Sequence, residues 1–230
     1  VLIAVGIRTV AFEPFNIPSE SMLPTLLVGD YLFVSKYSYG YSRHSLPFSI
    51  PLIPGRILAS MPERGDVAVF KLPRDNSTDY IKRIVGLPGD RLQMKGGVLF
   101  LNDKEVPRRR VESFVTKGPF GNSVPVPQYV ETLPGGRSYR TLDLVQGSET
   151  DDTPIFTVPP GHVFAMGDNR DNSLDSRVAP GRGGVGFVPI ENLVGRAEIH
   201  FFSTNGTASL FEPWKWPWAI RYERIFKSVG

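Results

Sequence analysis

An all-β fold built mainly of antiparallel sheets is predicted for this chain by three observations. Gly and Pro number 23 and 21 among 230 residues, well above ordinary usage, and both oppose helix interiors. No segment carries an apolar stripe of 3.6-residue period over three turns. Short runs of β-branched and aromatic residues recur instead, bounded by turn residues. With 41% hydrophobic and 21% charged residues, the chain has the apolar material for a core and is not wholly disordered.

The expected strands follow in order. Tyr31 to Ser35 comes after the turn Gly29-Asp30, and Asp66 to Leu72 after Arg64-Gly65. Tyr80 to Val85 stops at Gly86-Leu87-Pro88-Gly89-Asp90. Gly97 to Leu101, the pair Asn102-Asp103 and the run Glu105-Val106 read as a hairpin. His162 to Met166 and Leu193 to Phe202 complete the set. These runs place a β core in 13–105 and 159–206. Between them, 106–158 is rich in Pro, Gly, Ser, Thr and Arg and reads as a smaller inserted lobe. Residues 41–60 and 171–186 read as long loops, which in compact domains are functional or disordered.

Both ends carry apolar signals. Val1 to Ile7 is too short to cross a bilayer core of about 30 Å and lacks the charged start of a signal peptide. Two readings remain, a buried strand or the remnant of a longer membrane helix, and residues 1–12 are assigned to the anchor remnant because the apolar run starts at residue 1. All three Trp, at 214, 216 and 218, fall in 207–230 among Lys215, Arg221, Arg224 and Lys227. That composition suits either a membrane–water interface or an aromatic patch docked on the protein's own sheet.

The chain has no Cys, which removes disulfides, thiol nucleophiles and Cys-based metal sites. A net charge of +3 is mild, and Arg108-Arg109-Arg110 reads as a solvated loop. No nucleic-acid partner is expected. Three segments mix polar groups with tight turns. In Ile17 to Leu26, an extended backbone would project Ser19 and Ser21 to the same side; the segment is a nucleophile site or a Pro-Ser turn. In Tyr80 to Val85, alternation puts Tyr80, Lys82 and Ile84 on one face. A lysine base there needs its pKa lowered by about three units, or about 4 kcal/mol, within reach of burial; the alternative is a lysine whose head reaches solvent. The segment Met166 to Arg177 is dense in Asp and Asn but lacks EF-hand spacing and its terminal Glu. It reads as a polar network supporting a site, with no metal and no cofactor expected.

Together these segments resemble the bacterial type I signal peptidases. The stretches are P-S-E-S-M-L-P-T-L at 18–26, R-G-D-V-A-V-F at 64–70, Y-I-K-R-I-V-G-L-P-G-D at 80–90 and G-D-N-R-D-N-S-L-D-S-R at 167–177. The resemblance implies a serine protease with Ser21 as nucleophile, Lys82 as general base and an oxyanion hole from the Ser21 N–H and the Ser19 hydroxyl. It implies that Ser173 hydrogen-bonds the lysine and that Asp175 and Arg177 form a stiffening ion pair. Small apolar substrate pockets would draw on Phe15, Ile17, Met22, Leu26, Leu32, Val69, Tyr80, Ile81 and Ile84, with an extended substrate laid beside Asp79 and Tyr80. The implied substrates are the signal peptides of secretory preproteins, cut after small residues in an A-x-A pattern. The implied setting is the bacterial inner membrane, with the lipid bilayer as partner and the catalytic domain on the extracytoplasmic side. The inserted lobe would match the family's variable second domain. Glu20 departs from the pattern, standing where the family often has a small residue; a carboxylate there would act on residues next to the cut.

Two other readings compete. Self-cleaving repressors share the Ser–Lys arrangement but need a helix-turn-helix domain, for which the residues before Ser21 are too few. A non-catalytic, membrane-tethered β scaffold that binds extended peptides would leave Lys82 exposed and titrating normally.

Overall fold

The structure is a computed structural model that describes residues 11–46, 49–50, 52–118 and 122–229. In chain order the strands are β1 (Phe12–Asn16), β2 (Asp30–Ser35), β3 (Tyr41–Ser42), β4 (Arg56–Ile57), β5 (Val67–Lys71), β6 (Asp79–Gly86), β7 (Arg91–Lys95) and β8 (Val98–Leu101). They continue with β9 (Lys104–Glu105), β10 (Arg108–Lys117), β11 (Ser123–Thr132), β12 (Ser138–Leu142), β13 (Phe156–Thr157), β14 (His162–Met166), β15 (Val188–Pro189) and β16 (Leu193–Ser203). The fold is all-β. A single α-helical turn, Trp216–Ala219, and short 3-10 turns are the helical elements among the described residues.

The main sheet has seven strands in the order β1-β2-β16-β5-β6-β14-β15, each paired antiparallel to its neighbours. Its middle is buried on both faces, which explains the unbroken apolar run in β5. Val67 and Val69 pack with Ile81 on one side. Ala68 and Phe70 pack with Ile84 on the other. A four-stranded sheet, β13-β7-β8-β9, lies over a third cluster around Leu92, Leu99 and Phe164. The β8–β9 hairpin turns at Asn102 and Asp103, with φ of 53° and 64°. Two successive left-handed residues are what a two-residue I′ turn requires.

Within 106–158, three strands form a sheet of their own, β10-β11-β12. Its long strands were not legible as strands because β11 contains Pro125 and Pro127 and β10 opens on three arginines. The pairing shows how the prolines are accommodated. Val111 faces Gln128 and Phe114 faces Val126, so Pro127 lies opposite a bulge at Glu112 and Ser113. A residue without an N–H is tolerated where ladder bonding is already interrupted. Arg108 to Arg110 therefore stand on a strand and not in a loop. β13, although within 106–158, pairs with β7 of the preceding segment, Phe156 facing Leu92.

The expected anchor remnant lies outside the described residues except for Ala11 and Phe12, and Phe12 opens β1. No helix among the described residues is long and apolar enough to cross a membrane. The C-terminal aromatics divide. Trp216 docks on Phe202, ring centroids 5.1 Å apart, while Trp214 and Trp218 face solvent at 65% and 82% exposure.

Candidate active site

Ser21 lies in the turn-rich connection between β1 and β2. That connection is closed by backbone bonds from Ile17 N–H to Asp30 and from Gly29 N–H to Ile17. Buried Met22 and Leu26 hold it down onto the sheet. Lys82 stands midway along β6, flanked by β5 and β14. The two side chains meet: Lys82 Nζ donates to Ser21 Oγ at 2.6 Å and to the Ile81 carbonyl at 3.0 Å. The Tyr80 ring centroid is 5.3 Å from Nζ. Lys82 is 4% exposed. Burial lowers its pKa to about 8, against the opposing pull of Asp175 and Asp168. An exposed lysine titrating normally, as the scaffold reading requires, is not what stands here. Ser19 Oγ lies 3.4 Å from Ser21 Oγ.

The loop after β14 braces this pair. Asn169 donates from its backbone to the Ser21 carbonyl at 3.1 Å and from Nδ2 to the Glu20 carbonyl at 3.0 Å. Asp175 and Arg177 form a fully buried ion pair at 2.8 Å, and Asp175 also accepts the Gly167 N–H at 2.9 Å. Arg177 holds the Asp175 carboxyl low against the effect of burial. Arg83, next to the lysine, bonds Asp168 through both Nε and Nη2, at 2.8 and 2.7 Å. Thr25 donates to the same carboxylate at 2.5 Å. The nucleophile turn, β6 and the loop are thus cross-linked by charge-assisted bonds. Gly167 is required at the junction, because a Cβ there would lie 2.3 Å from Ser173 Oγ and 2.6 Å from the Ser21 carbonyl.

One implied contact is not formed. Ser173 Oγ is buried and has no hydrogen-bond partner among the described residues. It is wedged against Gly167, while Lys82 spends its bonds on Ser21 and Ile81.

A cleft of about 870 Å³ opens over the pair. Phe15, Asp79, Tyr80 and Ile81 line it, as do Ser19, Ser21, Lys82, Ser173 and Arg177. The other expected pocket residues do not line it. Ile17, Met22, Leu26, Leu32 and Val69 are core residues of the cluster that includes Ile81. Ile84 is fully buried in the cluster of Phe70. The two clusters lie on opposite faces of the main sheet, and burial on both faces takes these side chains out of the cleft lining. Two lining residues went unforeseen: Glu149 and Arg182, which pair at 2.5 Å. Nothing in their spacing, 33 residues apart, marks them as neighbours. Glu20 is exposed, with Oε2 3.4 Å from Asn172 Nδ2. Of the three His, His44 is buried and its pKa is lowered to about 4, first by desolvation; none lines the cleft.

The family profile described as signal peptidase, peptidase S26, matches residues 1–202. Signal peptidase I of Rickettsia typhi (strain ATCC VR-144 / Wilmington) is 41% identical over 247 residues, spanning 100% of this chain and 90% of that protein. Signal peptidase I of Rickettsia canadensis (strain McKiel) is 42% identical over 247 residues, with 100% and 89% covered. Among solved structures, a signal peptidase I from Enterococcus faecalis V583 is 24% identical, covers 60% of this chain and 97% of its own, and gives a TM-score of 0.36. The chain is thereby a hydrolase of the serine protease class. More narrowly, it belongs to the signal peptidase family, and removal of signal peptides from preproteins is its activity.

Proposed function

We propose that the reaction runs on a Ser21–Lys82 dyad, a variant of serine protease chemistry. The single observation that carries this reading is a buried lysine amine 2.6 Å from a serine hydroxyl. In its neutral form Lys82 accepts the Ser21 proton as Oγ attacks the scissile carbonyl. The Ser21 N–H and the Ser19 hydroxyl meet the developing oxyanion, where one donor is typically worth about 10²–10³ in rate. Lys82 then gives its proton to the leaving amine and later activates the water that clears the acyl-enzyme. Ser173 is a further acceptor for the lysine once substrate fills the cleft, since such bonds often tighten only in the loaded enzyme. Asp175 and Arg177 hold the loop that presents it.

The substrate binds extended beside Asp79 and Tyr80 and places small residues, in the A-x-A pattern, over the floor beneath Ile81. Residues 13–105 and 159–206 are the catalytic part and 106–158 the insert. The exposed Trp214 and Trp218 sit at the surface of a bilayer, on the extracytoplasmic side of the bacterial inner membrane. Indole rings with nearby Lys and Arg favour that interface.

The test is cleavage of a peptide spanning an A-x-A site, in detergent, across pH. Wild type is expected to cut after the second Ala. Ser21→Ala and Lys82→Met are expected to lose activity by several orders of magnitude. If the variants cut as well as wild type, the dyad is wrong.

A further inference from the structure

Asp143, Asp151 and Asp171 come from three separate segments, yet one carboxylate oxygen of each lies within 4.8 Å of the others. Asp143 follows β12, Asp151 precedes β13, and Asp171 sits in the loop that carries Ser173. Much of their bonding capacity is already used. Asp151 accepts the N–H groups of Gly147 and Ser148 at 2.7 and 3.0 Å and the Ser148 hydroxyl at 2.9 Å. Asp171 Oδ2 accepts the N–H groups of Leu144 and Val145 at 2.6 and 2.9 Å. Asp143 Oδ2 accepts from Arg108 Nη1 at 3.1 Å.

Two oxygens are left over. Asp143 Oδ1 and Asp171 Oδ1 are sealed from solvent and have no hydrogen-bond partner among the described residues. Asp143 as a whole is only 8% exposed. A buried carboxylate oxygen without a partner is unfavourable by the full cost of its desolvation. Arg108 offsets part of this charge. Burial, with the charges of Asp171 and Asp151, nonetheless pushes the Asp143 carboxyl above its ordinary range. Gly97 lets the backbone approach the cluster; a Cβ there would lie 3.1 Å from Asp143 Oδ2 and 3.7 Å from Arg108 Nη1 and Asp151 Cγ.

We propose that Asp143, Asp151 and Asp171 bind a divalent cation, with Asp143 Oδ1 and Asp171 Oδ1 as ligands. The donors are all oxygen, which selects a hard ion over zinc or copper. Carboxylates on three loops suit the adaptable coordination of calcium better than the strict octahedron of magnesium. The linear EF-hand spacing is missing from the sequence because the site is assembled in space. Its place gives it a use that rests on the peptidase reading. Asp171 adjoins Asn172 and Ser173, and Asp151 adjoins Thr150 and Glu149, all four lining the cleft. A cation joining them fixes the insert and the Ser173 loop as one wall.

The probe is calcium chloride added to chelator-treated full-length protein, read by calorimetry and by thermal unfolding. Saturable binding of one ion per chain is expected. The unfolding midpoint should rise by about 5 °C or more at ~100-fold excess over the dissociation constant. Asp143→Asn should abolish the shift. If that variant does not fold, Asp151→Asn, which still accepts the turn N–H groups, should weaken binding at least tenfold. No saturable binding, or an unchanged shift in the folded variants, overturns the site. A midpoint that answers to pH and not to calcium also overturns it. Binding is read without peptide, so failure of the peptidase reading leaves this outcome separate.

Discussion

Lys82 Nζ lies 2.6 Å from Ser21 Oγ although 61 positions separate the two residues. The lysine is delivered by a strand interior and the serine by a turn, and the sheet order brings both under one cleft. Its charge state decides whether it can take a proton.

Burial places the Lys82 pKa at about 8. Below that pH the amine is protonated and cannot act as a base. The rate constant kcat/KM for a signal-site peptide is therefore expected to climb about tenfold per pH unit up to about 8 and then level. Steady-state cleavage at constant ionic strength measures the limb. A profile flat from pH 6 to 9 would remove Lys82 from the role of base.

The same burial opposes folding. An unfolded lysine keeps the ordinary value of 10.5, and the native one titrates at about 8. Between these values the unfolded chain binds more protons, so native stability rises with pH across that window. Below pH 8 the cost stands at its full size, about 3 kcal/mol. Lys82→Met should accordingly unfold at a higher denaturant concentration than wild type at pH 7, with activity lost. Equal or lower stability would contradict the burial argument.

Asp175→Asn is expected to act in two ways. It leaves Arg177 as a buried, unpaired cation, at a cost of about 3–5 kcal/mol. It also removes a negative charge that raises the Lys82 pKa, so the acid limb of the rate profile should move to lower pH. The wild-type carboxyl is held low. Its contribution is present above the ordinary carboxylate range and is lost as pH falls through the native value. Chemical denaturation and the pH profile of the residual activity read the two effects separately.

Trp214 and Trp218 are exposed, so replacing both by Ser should leave the unfolding midpoint within a degree or two of wild type. Binding to phospholipid vesicles should weaken severalfold, measured by co-sedimentation. Unchanged vesicle binding would take these residues out of the membrane-facing surface. Trp216 offers the contrast, since it packs on Phe202 and its loss should lower stability.

Much of this was legible in the sequence because periodicity and turn chemistry are local. Residues 80–85 read as a strand with Lys82 and Ile84 sharing a face, and β6 runs from Asp79 to Gly86. Asn102-Asp103 read as a hairpin turn and is one. The β10–β11 ribbon was hidden because its prolines and arginines argue against a strand. Its bulge opposite Pro127 is a property of the pair and not of either strand.

The sequence by itself determined the β architecture, the order of the motifs and the identity of the polar groups available for chemistry. It did so because alternation, turn residues and residue type act over a few positions. Only the tertiary structure decided which of those groups meet. Ser21 joins Lys82, Glu149 pairs with Arg182 at the edge of the cleft, and three aspartates converge from three loops. The expected pocket residues Ile17, Met22, Leu26, Leu32, Val69 and Ile84 went into the core clusters on the two faces of the sheet for the same reason. Burial and long-range contact depend on how sheets stack, and no spacing along the chain encodes that distance.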